Sequence, residues 1–341
     1  MTTTFMRQEI EEIPAAVARL LDRGAGQLDA AGDALRAARP VMIATIARGS
    51  SDHAASFLKY AFELVAGIPV ASIGPSIASI YGRELDLKGC AALAISQSGK
   101  SPDIVRMANS ARANGAFTLA LTNTPGSPLA EAADAPIDLL AGEEKSVAAT
   151  KSFVVSIVAG LAVLARATQS DQLQRAVAEL PSYLETAISH DWGVLGDALM
   201  DRQSMYVLGR GPSLAIAQEA ALKFKETCGL HAEAYSAAEV LHGPARIVEQ
   251  GFPVLALATE DASQASVLEV VDRLSGQGAR VFVTSTAPTA GTALPFTPTG
   301  DPITGALALV VSFYAFVEAL SRRRGFDPDR PPHLKKVTET I

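Results

Sequence analysis

The sequence repeats its own pattern once, at an offset of 162 residues. Residues 46–51 (IARGSS) return as 208–213 (LGRGPS), and Gly67 after the first copy matches Gly229 after the second. The apolar run 91–96 (AALAIS) matches 253–258 (PVLALA) at the same offset. Several landmarks that share one offset indicate a duplicated folding unit. The chain is therefore expected to fold as two similar halves.

Short apolar runs alternate with longer helical patterns within each half. In the first half, the predicted strands lie at 41–46, 70–73, 91–96 and 117–121. The predicted helices lie at 52–65 and 103–113. Short strands separated by helices are typical of βαβ units, which build a parallel sheet. We predict an α/β fold with two parallel sheets, each flanked by helices in a three-layer αβα sandwich.

This pattern divides the chain into four parts. Residues 1–37 are predicted to be an N-terminal helical segment in which Pro14 kinks the helix or opens a new one. The first α/β domain is predicted at 38–167, a helical linker at 168–200 and the second α/β domain at 201–341. Because ligands bind beyond the carboxyl ends of parallel strands, residues directly after a strand are the first candidates for a site.

Composition and charge exclude several classes of protein. With 48% hydrophobic and 19% charged residues, the chain can bury a large core and is not disordered. Its net charge of −7 argues against a nucleic-acid partner. The apolar stretches 153–165 and 306–316 are shorter than the roughly 18 residues that a membrane span needs. We therefore predict buried helices there and no membrane partner.

The N-terminus and the cysteines indicate a cytoplasmic protein. The first residues, MTTTFMRQE, contain no apolar stretch of the kind found in a signal peptide. Cys90 and Cys228 form no CxxC pair, so we expect two core thiols in a reducing compartment.

The segment 95–102 (ISQSGKSP) carries the clearest ligand-binding pattern, because it follows a strand and opens a helix. Its candidate donors are three hydroxyls and one amide, at Ser96, Gln97, Ser98 and Ser101. Hydroxyls and backbone amides at a helix N-terminus hold a phosphate ester without net positive charge. A single N-capping serine is the simpler interpretation, but one cap requires neither three hydroxyls nor a glutamine.

Two further serines, Ser50 and Ser51, follow the neighbouring predicted strand and are expected to add donors to this phosphate site. The matching loop of the second half, 258–261 (ATED), carries carboxylates instead. Carboxylates repel phosphate, so we predict a phosphate site in the first half alone.

A predicted helix at 215–227 places Glu219, Lys223 and Glu226 on one face, at spacings i, i+4 and i+7. A solvated salt bridge is one interpretation. The other is a general acid or base, because a carboxylate among apolar side chains tends towards a raised pKa. Spacing alone does not separate the two.

The segment 231–244 contains two histidines and two glutamates, but their spacing matches no common zinc pattern. His242 precedes Gly243-Pro244, so it is either a structural turn residue or a catalytic histidine on a rigid turn. The pair Gly209 and Gly211 lacks the third glycine of a dinucleotide fingerprint, because Leu214 stands there. We therefore expect neither a metal nor an organic cofactor.

Taken in order, these motifs resemble the sugar isomerase (SIS) family, and most closely the tandem-SIS isomerase half of glucosamine-6-phosphate synthase. The resemblance covers nearly the whole chain. It rests on segments that occur in the family's order, namely 6–14 (MRQEIEEIP), 96–99 (SQSG), 147–153 (VAATKSF), 219–226 (EAALKFKE), 231–235 (HAEAY), 242–244 (HGP) and 334–338 (LKKVT). It implies two tandem SIS domains and a phosphosugar substrate.

The resemblance also implies roles for individual residues. The sugar phosphate would be held by five side chains, those of Ser51, Ser96, Gln97, Ser98 and Ser101. Glu226 would move a proton between C1 and C2 of the sugar, with Lys223 beside it. His242 would open the sugar ring and reach across from a second subunit, which implies a homodimer. Lys336 would lie near the carbonyl carbon, and the backbone of Val147 would line the sugar.

Two departures from the synthase pattern concern specificity. Ala149 stands where the synthase has a serine that contacts the sugar, and Lys335 stands where it has an alanine. The synthase also carries a glutaminase domain with a cysteine directly after the initiator methionine, whereas this sequence begins Met1-Thr2. The resemblance thus implies amino-sugar chemistry without glutamine hydrolysis.

The segment 236–244 (SAAEVLHGP) resembles the SIS-type glucosamine-6-phosphate deaminases. The sequence therefore predicts conversion of glucosamine 6-phosphate to fructose 6-phosphate and ammonia. Another phosphosugar aldose–ketose isomerase, or a deglycase acting on a fructosamine 6-phosphate, is the alternative within the fold. A non-catalytic phosphosugar sensor is the alternative from another class.

Overall fold

Ten parallel strands in two five-stranded sheets organise residues 3–336, the part of the chain that the computed structural model describes. The first sheet has the order β2-β1-β3-β4-β5 and the second has the order β7-β6-β8-β9-β10. The strands are β1 (Ile43–Ile46), β2 (Val70–Ser72), β3 (Ala91–Ile95), β4 (Phe117–Thr122), β5 (Ala135–Asp138), β6 (Ser204–Gly209), β7 (His231–Ser236), β8 (Pro253–Ala256), β9 (Arg280–Val283) and β10 (Thr292–Ala293). Both sheets share one topology, which confirms the predicted α/β class.

Helices connect the strands and cover the sheets. They are α1 (Phe5–Glu11), α2 (Ile13–Arg23), α3 (Ala25–Ala38), α4 (Ser50–Ala66), α5 (Ser76–Ser79), α6 (Pro102–Ala113), α7 (Pro128–Glu131), α8 (Lys151–Thr168), α9 (Asp171–Ile188), α10 (Gly193–Leu199), α11 (Pro212–Cys228), α12 (Gln264–Gly276) and α13 (Pro302–Arg323). Two short 3₁₀ helices, Glu239–His242 and Pro244–Ile247, follow β7. The predicted N-terminal helical segment is thus three helices, and Pro14 lies in the first turn of α2, where a proline is tolerated.

Both faces of the first sheet are buried, as parallel sheets require. One face packs on α5, α6 and α7 through small and apolar side chains such as Ala92, Ala94 and Ala120. The opposite face carries Leu93, Leu119 and other apolar side chains, which line a small cavity with residues of α3, α4 and α8. Successive side chains of a strand point to opposite faces, so the continuous apolar runs of β3 and β4 serve both layers.

The second sheet is covered in the same way. Side chains of β6, β8 and β9 pack with Val267, Val271 and Leu274 of α12 in one apolar cluster. Helix α11 contacts β6 and β7, and it also packs against α13. The two halves therefore share sheet order and helical cover.

The duplication extends to the caps of the helices that follow β1 and β6. Gly49 and Gly211 stand at the N-caps of α4 and α11 with φ of 55° and 62°. That region of backbone conformation favours glycine over other residues. The repeat seen in the sequence therefore marks the same sharp strand-to-helix turn in both halves.

Two compact units make up the described residues. The β1–β5 unit contains residues 13–144, 151–179 and 335–336, and the β6–β10 unit contains residues 3–12, 145–150 and 180–334. The four-part division at 1–37, 38–167, 168–200 and 201–341 stays a prediction.

The predicted apolar stretches are parts of the long helices α8 and α13. Both helices are long and apolar enough to cross a membrane by composition, but the residues of their most apolar windows are 78% and 89% buried within the protein. This burial is typical of core helices in a soluble protein. Cys228 is buried as predicted, whereas Cys90 is half-buried.

Candidate functional site

The loop after β3 is folded tightly against its neighbours. The backbone N–H of Gly99 donates to the carbonyl of Ser96 at 3.2 Å, and the carbonyl of Gly99 accepts from the N–H of Leu129 at 3.0 Å. Gly99 has a φ of 62°, and a Cβ atom there would lie 2.1 Å from Oγ of Ser127. Only glycine fits this position without displacing its neighbours. The loop is therefore a fixed turn at the carboxyl edge of the first sheet.

The serines of this loop lie at the start of helix α6. Ser101 occupies the N-cap of α6, yet its side chain makes no capping hydrogen bond. The simpler N-cap interpretation therefore does not account for the Ser101 hydroxyl. Ser96 is buried, and Gln97 and Ser98 are half-buried. These groups are gathered at the start of a twelve-residue helix, whose amide end favours an anion.

Ser50 and Ser51 form the first turn of α4, directly after Gly49. Strand β1 pairs with β3 in parallel, so the loops that follow the two strands leave the same edge of the sheet. The predicted phosphate-binding residues Ser50, Ser51, Ser96, Gln97, Ser98 and Ser101 all belong to the β1–β5 unit.

In the corresponding loop of the second half, after β8, a carboxylate of the loop itself accepts hydrogen bonds from the loop's donors. The Asp261 carboxylate accepts from the N–H of Ser263 at 2.7 Å, from the Ser263 hydroxyl at 2.6 Å and from the Thr259 hydroxyl at 2.9 Å. An internal anion thus takes the hydrogen bonds that a bound anion would need. That a phosphate site exists in the first half alone stays a prediction.

A buried lysine joins two carboxylates on α11. The Nζ atom of Lys223 lies 3.3 Å from Oε1 of Glu219 and 2.5 Å from Oε2 of Glu226. Lys223 and Glu219 have no exposed side-chain surface, whereas 21% of the Glu226 side chain is exposed. The hydroxyl of Tyr314 on α13 donates to Oε1 of Glu219 at 3.0 Å. A solvated salt bridge is therefore the wrong interpretation of this face.

The charge of Lys223 is maintained by its two partners. Burial acts to lower the pKa of Lys223, but the charges of Glu219 and Glu226 outweigh burial and raise it. Lys223 is accordingly an ammonium at neutral pH, and it binds the carboxylates of Glu219 and Glu226. The partly exposed carboxylate of Glu226 is therefore held beside a buried positive charge.

His231 begins strand β7, and the exposed His242 ends a 3₁₀ helix. The carbonyl of Pro244 accepts a hydrogen bond from the Tyr206 hydroxyl at 2.9 Å, which fastens the turn that follows His242. Within residues 3–336, no three histidine, cysteine, aspartate or glutamate side chains group as metal ligands would.

Val147 lies in a segment that is anchored from two sides. Its N–H donates to the carbonyl of Asp329 at 3.2 Å. The preceding residues Lys145 and Ser146 donate through their backbone N–H groups to the buried carboxylate of Glu9, and the Ser146 hydroxyl donates to the same group. The backbone of Val147 is therefore held in place.

Lys336 is bound to a buried carboxylate. Its Nζ atom lies 2.9 Å from Oε2 of Glu144, a residue with no exposed side-chain surface. The motif 334–338 continues beyond this point, and its residues Val337 and Thr338 lie outside the described residues.

Sequence reasoning missed Glu9 and Glu144. Both are buried acids, and each lies in a stretch with neighbouring glutamates, at 9–12 (EIEE) and 143–144 (EE). Neither spacing nor composition separates a buried glutamate from a solvated one in such a stretch. The signal becomes visible only when the fold places hydrogen-bond donors around one carboxylate.

The predicted site residues thus fall into two groups. The phosphate-loop serines and Lys336 belong to the β1–β5 unit, and Glu219, Lys223, Glu226, His242 and Val147 belong to the β6–β10 unit. Together, fold and site define a duplicated α/β protein in which polar residues follow the carboxyl ends of parallel strands.

Comparison with known proteins identifies the family. The family model for the SIS domain matches residues 36–166 and 198–294. A glutamine–fructose-6-phosphate aminotransferase (isomerizing) from Pyrobaculum aerophilum is 34% identical over 98% of this chain and 57% of its own length. The chain belongs to the SIS family and is homologous to the isomerase part of these aminotransferases. It spans 57% of that relative's length.

Two solved structures are similar along the whole chain. A candidate phosphosugar isomerase from Silicibacter pomeroyi DSS-3 has a TM-score of 0.93 at 52% identity, covering 96% of this chain and 100% of its own. A glucosamine-6-phosphate deaminase from Thermotoga maritima has a TM-score of 0.79 at 20% identity, covering 99% and 100%. The second likeness shows the shared fold.

Replacing Ser101 with alanine tests the phosphate loop. Loss of a hydroxyl that donates to an anion is expected to weaken inorganic phosphate binding about 10- to 100-fold, because hydrogen bonds to charged groups contribute about 1.5–3 kcal/mol. Ser263→Ala is the matched control, since Ser263 occupies the N-cap of α12 in the second half. Titration calorimetry measures both. Equal affinity of Ser101→Ala and the native protein would contradict the assignment.

Replacing Lys223 with methionine tests the buried network. The substitution leaves Glu219 as a buried carboxylate without its cation, which is expected to cost about 3–5 kcal/mol of stability. Lys225→Met, on the same helix but exposed, is expected to leave the urea midpoint nearly unchanged. Urea unfolding monitored by circular dichroism compares the two variants. Equal midpoints would show that the network adds no stability.

Proposed function

We propose that this chain is an SIS enzyme that moves a proton between C1 and C2 of a 6-phosphorylated sugar. One observation carries the proposal: the partly exposed carboxylate of Glu226 lies 2.5 Å from the fully buried ammonium of Lys223. A general base must reach substrate and still be held in one orientation. Glu226 meets both conditions, because its charged partner is fixed on the same helix.

The loop at 96–101 supports a phosphate ester as the group that anchors the substrate. Its donors gather at the start of α6, and the Ser101 hydroxyl is not used for capping. Anchoring a substrate through a remote phosphate fixes the reacting carbons relative to the protein, which lowers the entropic cost of reaction.

Glucosamine 6-phosphate is the substrate that we propose, and deamination is the reaction. His242 assists opening of the sugar ring. Glu226 removes the proton from C2 of the open-chain aldose and returns it at C1, while one proton passes from the C2 amine to O1, which gives a CH2OH group at C1 and an imine at C2. Water adds at C2 and ammonia leaves, so that the products are fructose 6-phosphate and ammonia.

Two expectations from the family resemblance complete the proposal. Lys336 lies near the sugar carbonyl, and His242 comes from the second subunit of a homodimer. The exposure of His242 supports the second expectation, because a residue that serves a partner's site must be accessible on its own chain. The proposed reaction uses neither a metal nor an organic cofactor, and we place it in the cytoplasm.

A phosphosugar aldose–ketose isomerase without deaminase activity is the second candidate. The 52% identical structure from Silicibacter pomeroyi, described as a candidate phosphosugar isomerase, favours it. The same base and phosphate loop would serve that reaction, since proton transfer between C1 and C2 is common to both. Deglycation of a fructosamine 6-phosphate would use the same groups. A purely ligand-binding protein would not need a catalytic base, so the presence of Glu226, Lys223 and His242 favours an enzyme.

Ammonia release from glucosamine 6-phosphate by the purified protein, with EDTA and without glutamine, tests the proposal. Release of ammonia together with fructose 6-phosphate is the expected result. Turnover of fructose 6-phosphate or another ketose phosphate without ammonia release would establish the isomerase instead. Binding of phosphosugars without turnover of any of them would overturn the proposed enzyme role.

Replacing Glu226 with glutamine is expected to lower kcat by about 10²–10⁴-fold, because a positioned side chain contributes that much to proton transfer. Phosphate affinity is expected to stay within about threefold of the native protein, since the phosphate loop is untouched. Glu269→Gln, an exposed carboxylate on α12, serves as the control. If kcat and phosphate affinity fell together, Glu226 would be structural.

A further inference from the structure

Glu144 is a fully buried carboxylate that the proposed reaction does not use. It lies between β5 and α8 and accepts hydrogen bonds from the start of α8. The Ser152 hydroxyl donates to Oε2 at 2.7 Å, and the Ser152 N–H donates to Oε1 at 3.0 Å. The Nζ atom of Lys336 lies 2.9 Å from the same Oε2 atom.

The Lys336 ammonium keeps this carboxylate charged. Burial acts to raise the pKa of Glu144, but the charge of Lys336 and the hydrogen bonds from Ser152 outweigh burial and lower it. A buried carboxylate that loses its cation is strongly unfavourable. The buried negative charge of Glu144 is therefore stable only while the Lys336 ammonium stays beside it.

The residues just before Lys336 face solvent. His333, Leu334 and Lys335 are exposed, and no helix or strand follows α13 within the described residues 324–336. The Lys336 side chain is only 25% exposed, in contrast to its neighbours. Among residues 333–336, Lys336 is thus the one whose side chain turns towards the protein, where it binds Glu144.

The position of the pair also matters. Strands β3, β4 and β5 are neighbours in a parallel sheet, so the chain leaves all three at the same edge. The phosphate loop follows β3, and the loop that contains Glu144 follows β5. Glu144 therefore holds the Lys336 ammonium at the edge of the sheet where the substrate phosphate is proposed to bind.

We propose that Glu144 is a positioning residue that sets the location of the Lys336 ammonium at the substrate site. This inference rests on the proposed function, because Lys336 is assigned to the sugar carbonyl only there. Glu144 acts through Lys336 and makes no contact with substrate. Ser152 orients the carboxylate through two hydrogen bonds, so the lysine meets a fixed partner.

Kinetics of Glu144→Gln, Lys336→Met and the double variant test the proposal. Glutamine keeps the shape of Glu144 but removes its charge. Each single variant is expected to lose about 10²-fold in kcat, because misplacing a reacting group by about 1 Å costs that much. Inorganic phosphate affinity is expected to change less than about threefold. The double variant is expected to be no slower than the slower single variant, because both act through one contact.

Glu318→Gln is the matched control for a buried, ion-paired glutamate. Glu318 has no exposed side-chain surface, and its carboxylate binds Arg322 at 2.7 Å in the β6–β10 unit. It is expected to lose stability and keep kcat, and circular dichroism confirms that all variants are folded. If Glu144→Gln kept kcat within about threefold of the native enzyme, or if the two losses multiplied in the double variant, the proposal would be wrong.

Chemical labelling gives a readout that needs no substrate. Acetylation of the native protein, followed by mass spectrometry, is expected to modify the exposed Lys335 several-fold faster than Lys336. In Glu144→Gln, the two lysines are expected to react at similar rates. An unchanged ratio would overturn the positioning role even if the enzyme proved inactive on every phosphosugar. A changed ratio in an inactive protein would keep the Glu144–Lys336 contact and reject the proposed function.

Discussion

Parallel strand pairing is the constraint on which the rest of this structure depends. A parallel ladder makes the chain cross back between strands, usually along a helix, so both faces of each sheet are covered and all strand ends of one polarity meet at one edge. The covering helices must be apolar on more than one side, which explains why α8 and α13 are as hydrophobic as membrane spans and yet buried. The same geometry brings the serine-rich loop after β3, the first turn of α4 and the loop with Glu144 to one edge of the first sheet. Short loops are therefore sufficient to bring these polar side chains to one edge, because the pairing of the strands already places the loops side by side.

Much of this arrangement could be predicted from the sequence, and the limits have physical causes. The duplicated landmarks and the apolar runs of β1, β3 and β4 were sufficient for the fold, since a strand buried on both faces is a continuous apolar segment. Strand β7 (His231–Ser236) was not predicted, because it contains His231 and Glu233 and has the composition of a loop. The spacing of Glu219, Lys223 and Glu226 placed them correctly on one face of a helix, but only the structure shows that the lysine is buried. Glu9 and Glu144 were missed because their importance depends on donors far away in the sequence.

The two halves show how a duplicated backbone can diverge in chemistry. Each has a glycine-capped helix after its first strand and a loop that opens a helix after its third. In the first half the loop ends in a serine whose hydroxyl is not used for capping, whereas in the second half Asp261 already binds the donors of the loop. Conversely, α11 of the second half carries the lysine–carboxylate network. The two halves thus have equivalent sheet edges, and a few side chains give these edges different chemistry.

The distribution of the chain between the two units has a consequence for synthesis. The β6–β10 unit uses residues 3–12 together with residues 180–334, and α1 packs against α13. Domains generally fold as they emerge from the ribosome, N-terminal parts first. Nearly all of the β1–β5 unit has been translated by residue 179. Helix α1, in contrast, can pack against α13 only after α13 has been translated. During that interval α1, whose Met6 and Ile10 are buried in the folded protein, lacks its contact with α13. Elongation rate and chaperone supply should therefore affect the yield of the second unit more than that of the first.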